Sequence, residues 1–329
     1  LIGMGGAPRA SVAMGRGDYK TAEKILGNCI TLLIALSVAL SVVFTIFGEP
    51  VLRAFGASEN TLPYAMAYLR IYLLGTIFVQ FTLGMTPFIT NQGFAMTSMA
   101  TTCIGAVSNI ILDPIFIYGL NMGVEGAAIA TILSQAISAV WVLVFFTGKR
   151  SVLRIRKANL IPDGKTLALI LSLGVSPFLM TATECVIQLA FNTGAATYGG
   201  DSAVAIMSIL FSVAQISNLP VQGFCQGAQP VVGFNFGARK LERVRKAFTI
   251  MLAVSVGITT VVVGAVEIAP QMFLGLFSSD ADLIALGTAP LRIYMMGSFF
   301  MGAQLACQQT FLGLGEAKIS MFIALLRKV

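Results

Sequence analysis

Glu184 is the residue best equipped for chemistry in this chain. It lies in the stretch LMTATECVIQLAFN, inside a long apolar run, and its polar neighbours recur at helical spacing. Pro177, Thr181, Glu184, Gln188 and Asn192 are separated by 4, 3, 4 and 4 positions. A helix brings residues three and four apart onto one face. The five therefore make one polar stripe, which must face water or other helices. An acid inside a membrane costs about 2.5–3.5 kcal/mol on insertion scales, so it marks an ion or substrate path by default. Such a carboxylate can exchange a proton. If ionised, it can hold Na⁺ or a cationic substrate; no other metal site is expected. The structural alternative is a protonated Glu bonded to an adjacent helix.

A second acid, Asp113, follows Asn109 by one turn and precedes Pro114. Proline disfavours helix at the residue before it, so Asp113 is equally suited to satisfying backbone groups at a bend and to ion coupling. Neutral amides cluster on two further segments. Gln215, Gln222 and Gln226 share a helical face with Ser208 and Ser212, and Gln304 and Gln308 lie four apart. Amides at such positions can line a cavity or glue helices together. The chain has no His, which excludes catalytic triads and His-ligated metals. Its 5 cysteines are dispersed through apolar segments and are expected to be small buried hydrophobes. No Walker motif is present. No cofactor is expected, and the chain does not read as an enzyme.

The elements that position these residues follow from composition. Charged residues are 11% of the chain, hydrophobic ones 57%, and the mean hydropathy is +0.87. Soluble domains carry about 25% charge, so lipid must cover much of this surface. Eight apolar runs reach the roughly 20 residues a crossing helix needs: 26–47, 63–88, 96–118, 122–147, 167–197, 203–233, 246–269 and 285–311. Partial runs occupy 1–14 and 318–329. Both ends fall inside apolar runs and are expected to be cut.

Charge then sets the orientation. Arg16, Lys20 and Lys24, the basic loop 148–166, and Arg239, Lys240, Arg243, Arg245 and Lys246 fall on one side by loop parity. Glu49, Glu59, Glu125, Asp280 and Asp282 fall on the other. Positive loops stay cytoplasmic, so 148–166 is expected to be a cytoplasmic linker between lobes at 1–147 and 167–329. The net charge of +7 is thus a topology signal and not a nucleic-acid footprint.

The chain also matches itself at an offset of 222: Leu69-Arg70-Ile71-Tyr72 becomes Leu291-Arg292-Ile293-Tyr294, and Gly15, Gly75, Gly93, Ala95 and Ser98 recur as Gly237, Gly297, Gly315, Ala317 and Ser320. The offset spans an even number of crossings, which predicts parallel repeats. Arg70 and Arg292 are expected to snorkel to the interface.

NIILDPIFI at 109–117, GVEGAAIAT at 123–131, GRGDYKTAEKILGN at 15–28, YGGDSAVA at 198–205 and LPVQGFCQGAQPVVGFNFGA at 219–238 resemble the multidrug and toxic compound extrusion (MATE) family, bacterial type. The resemblance covers the whole chain. It implies an all-α polytopic membrane protein with two pseudo-symmetric six-helix lobes, of whose twelve helices about ten are present. It also implies secondary active export of amphiphilic or cationic compounds by alternating access, coupled to Na⁺ or H⁺, in the plasma membrane. Glu184 matches the carboxylate of the seventh helix, which helps bind the coupling cation in some relatives. A monomer in the lipid bilayer is expected, with no nucleic acid partner. The competing reading is a flippase of lipid-linked oligosaccharides or related polyprenyl substrates. Basic side chains facing the cavity would favour it.

Overall fold

The computed structural model describes residues 1–54 and 58–326, and these form helices and turns without strands. The helices are α1 (Ile2–Gly15), α2 (Tyr19–Ala54), α3 (Leu62–Asn91), α4 (Ala95–Pro114), α5 (Gly123–Thr147), α6 (Gly164–Gly237), α7 (Leu241–Ile268), α8 (Pro270–Gly275), α9 (Ala281–Ser298), α10 (Met301–Leu314) and α11 (Ala317–Leu326). The α6 stretch is two arms, Gly164–Ala195 and Ser202–Gly237, which meet at a kink where Gly200 takes φ 63°. Glycine tolerates that backbone because it has no Cβ. Eight helical stretches among the described residues are long and apolar enough to cross a membrane. They correspond one to one with the expected crossings. Side chains such as Val38, Val42, Ile46 and Phe47 on α2 are exposed, as a lipid-facing surface requires. The protein is an all-α, multi-pass membrane protein.

The chain divides into two compact units, Leu1–Gly174 and Val175–Val329. In the first, α1 is buried against α2 and α3, and the core includes Leu26, Cys29, Met85, Phe88 and Phe146. Small residues allow this closeness. A Cβ on Gly5 would collide with the carbonyl oxygen of Ile170, and one on Gly6 with the Cys29 sulfur. Segment 148–163 is strapped onto this unit. Arg156 Nε lies 2.6 Å from the Glu23 carboxylate, Thr31 donates to the Leu160 carbonyl at 2.6 Å, and the Asp163 amide donates to Asn28 at 2.7 Å. Gln92 Oε1 accepts from the amides of Val152 and Leu153. Asp163 also caps α6 through the Thr166 amide and hydroxyl, and Lys24 stands 3.1 Å away.

In the second unit, the second arm of α6 packs on α7, α8 and α9 through Leu210, Val213, Val266, Leu274, Leu291 and Met295. The expected single crossing 285–311 is broken here. The Phe299 amide bonds Met296 O, Phe300 turns, and α10 begins afresh. Gly75, the repeat partner of Gly297, lies against the Ile132 side chain, whereas the space beside Gly297 is open among the described residues.

The 222-residue register recurs in backbone detail. Tyr19 and Leu241 open α2 and α7, and Ala95 and Ala317 open α4 and α11. Gly17 and Arg239 both take positive φ (79° and 59°), as do Gly93 and Gly315 (89° and 80°). The repeats diverge where Gly48 is replaced by Pro270. Lacking an N–H and disfavouring helix at Ala269, proline ends α7 where α2 continues.

Candidate functional site

The first arm of α6 carries the Glu184 stripe, and only part of it reaches a common space. Glu184 and Gln188 line a polar cavity of ≈ 290 Å³ within the second unit. Gln215 and Asn218 enter it from the second arm, with Phe211 beside them, and Tyr294 of α9 and Met301 of α10 complete the wall. The Tyr294 ring stands edge-on to Phe211, with centroids 5.9 Å apart. The Asn218 side-chain oxygen is buried and accepts no hydrogen bond among the described residues. Such an orphan acceptor costs about 1–3 kcal/mol, and a cation or donor entering the cavity would relieve it. One carboxylate, three amides and two aromatic rings form a chamber suited to a positively charged or hydrogen-bonding guest. A second cavity of ≈ 530 Å³, lined by apolar residues such as Ala190, Phe191 and Met207, shares Ile187 with it.

The other candidates lie elsewhere. Asn192 continues the stripe but is exposed and lines neither cavity. Gln222 is exposed, and Gln226 is half-buried outside the chamber. Gln304 donates to Gln308 Oε1 at 2.6 Å, and buried Gln308 reaches Ser176, which pairs with Ser320 at 2.8 Å. Those amides join α10 to α6 and α11, as helix-gluing amides do. Buried Gln229 and Gln309 form a similar pair at 3.0 Å. Asp113 belongs to the first unit and accepts from the Asn109 amide at 3.1 Å. Pro114 does not end the helix there. The chain passes directly into a π-helical turn, Ile115–Gly119, where the Leu120 amide donates to the Ile115 carbonyl at 2.9 Å. Arg292 does more than snorkel. It donates to the Glu267 carbonyl at 3.0 Å and stands 3.8 Å from the Glu267 carboxylate. At the matching position of the first repeat is Thr45, so Arg70 has no such acid.

Sequence reasoning missed Phe211, Asn218 and Met301 as cavity residues. Only Tyr294 carried a signal, as the end of the repeated Leu-Arg-Ile-Tyr motif.

The family model described as MatE matches residues 1–115 and 177–329. The chain belongs to the MatE family. This MatE chain is 29% identical over 302 residues to the multidrug export protein MepA of Staphylococcus haemolyticus (strain JCSC1435), covering 92% of itself and 66% of that protein. Against the MepA of Staphylococcus saprophyticus subsp. saprophyticus the identity is 27%, over 100% of this chain and 72% of the relative. The MatE chain therefore spans about two thirds of the length of these relatives. Among solved structures it resembles an outward-facing conformation of a multidrug resistance MATE family transporter of the MOP superfamily, at TM-score 0.91 and 24% identity, covering 100% of this chain and 73% of that one. A MOP superfamily transporter from Pyrococcus furiosus Vc1 (DSM3638) matches at TM-score 0.88 and 24% identity, over 98% and 72%. These likenesses are of fold.

Proposed function

We propose that this chain acts as a secondary multidrug exporter, moving amphiphilic or cationic compounds by alternating access in exchange for Na⁺ or H⁺. The observation that carries the reading is the chamber around Glu184, where one carboxylate faces Gln188, Gln215 and Asn218 and no cation lines the wall. An acidic and amide lining fits a cationic guest and opposes a pyrophosphate-linked one, which favours export over lipid-linked sugar flipping. MepA relatives named for multidrug export support the same class. Glu184 is the coupling residue, alternately holding the ion and releasing it. Gln188 assists it. Asp113 and Asn109 are secondary candidates in the first unit. The protein works as a monomer in the plasma membrane, with 148–166 on the cytoplasmic side.

Glu184→Gln keeps the side chain's size and removes its ionisation. In proteoliposomes under imposed Na⁺ or proton gradients, this variant loses ion-driven efflux while expressing normally, and Gln188→Ala shows a smaller defect. Wild-type efflux rates in Glu184→Gln under both gradients would reject the assignment and leave Glu184 as a helix-packing group.

A further inference from the structure

The two repeats differ in charge at the start of the second helix of each. In the first repeat, residues 17–24 carry Asp18, Lys20, Glu23 and Lys24, a balanced set. Asp18 caps α2 by accepting from the Thr21 amide and hydroxyl, Glu23 is buried against Arg156, and Lys24 pairs with Asp163. At the matching positions 239–246, Lys240 replaces Asp18 and Arg245 replaces Glu23. With Arg239, Arg243 and Lys246, this makes five cations against Glu242 alone. All five are exposed, and none forms an ion pair among the described residues. Lys240 begins α7 without a side-chain cap.

Folding alone does not favour this arrangement. Cations at the amino-terminal end of a helix oppose its dipole. Like charges three residues apart, as in Lys240, Arg243 and Lys246, repel one another. In the first repeat Asp18 caps the helix start and Asp163 stands beside Lys24. The second leaves a net positive charge where a membrane-crossing helix, Leu241–Ile268, meets the bilayer surface. Basic clusters next to a crossing helix attract anionic headgroups.

We propose that the amino-terminal end of α7 is a docking surface for anionic phospholipid, with Lys240, Arg243 and Lys246 holding the headgroup phosphate. The lipid supplies the countercharge that Asp18 and, opposite Lys24, Asp163 supply at the start of α2.

The test uses the full chain purified in uncharged detergent. Lipid retention is counted by native mass spectrometry with phosphatidylglycerol or phosphatidylcholine of matched chains, and with inorganic phosphate as a separate arm. Phosphatidylglycerol is expected to be retained with ~tenfold preference, falling as salt rises from about 0.05 to 0.5 M. The triple variant Lys240→Gln, Arg243→Gln, Lys246→Gln loses the preference. The charge-keeping triple Lys240→Arg, Arg243→Lys, Lys246→Arg retains it, which separates lost charge from lost folding. Linker variants Lys149→Gln and Arg150→Gln also retain it. Equal retention of the two lipids, an equal loss in the linker variants, or displacement of phosphatidylglycerol by inorganic phosphate would each overturn the proposal.

Discussion

Asn218 concentrates a conflict between stability and function in one side chain. Its oxygen is buried at the chamber wall and accepts no hydrogen bond from the described residues. Asn218→Leu is expected to hold or raise the thermal unfolding temperature, by an amount corresponding to about 1 kcal/mol, and to raise the transport KM severalfold. A drop in both stability and transport would show that the oxygen has a structural partner. Asp163 tests a different residue-level effect outside the membrane. Hydrogen bonds from Thr166, then the Lys24 ammonium, hold its carboxyl at about 2, below the ordinary 3.8. The folded state therefore binds this proton less readily than the unfolded chain does. The stabilisation is complete above the unfolded value and disappears as pH falls through the folded one. The difference in unfolding temperature between wild type and Asp163→Asn is expected to stay level from about pH 7 to 5 and to close between about pH 4 and 2. A gap at pH 2 as wide as that at pH 7 would contradict this.

At the scale of elements, close approach matters more than hydrophobicity. Gly5 sits where any Cβ meets the Ile170 backbone, whereas Gly257 of α7 faces open space. Gly5→Ala should cost about 3 kcal/mol, at the upper end for overpacking. Gly257→Ala should be neutral or stabilising by up to about 1 kcal/mol, because alanine has the better helix propensity. Thermal unfolding of the two variants side by side checks the contrast, and equal shifts would remove the steric argument. In the sequence Gly3, Gly5 and Gly6 are a short glycine cluster and no more, because small residues acquire their meaning from the neighbouring backbone. The break between α9 and α10 was hidden as well. Gly297 and Gly75 read alike, and the side chain that distinguishes them, Ile132, comes from a distant helix.

For the whole molecule, the testable expectation is topology. In a background without native cysteines, Lys157→Cys in the 148–166 segment should react with an impermeant maleimide only after cells are permeabilised. Asp282→Cys should react in intact cells. Labelling of Lys157→Cys from outside would invert the orientation derived from the basic loops.

Crossing segments, charge asymmetry and the 222-residue repeat were legible in the chain because each is a one-dimensional property. A crossing needs only a sufficient apolar run, and a repeat needs only matching letters; the structure then opens paired elements at Tyr19 and Leu241 and at Ala95 and Ala317. The Glu184 stripe was legible as far as a single helix can define it. Which of its members share a chamber was not. Glu184 and Gln188 meet Asn218 only because the chain turns back at Gly200, and they meet Tyr294 only because α9 packs against the returning arm. Asn192 satisfies the same periodicity and falls outside. For Gln304 and Gln308 the sequence left cavity wall and helix glue open, and in the structure they bond each other and Ser176. Periodicity assigns a residue to a face of its own helix, and what stands opposite that face is decided by packing between segments far apart in the chain.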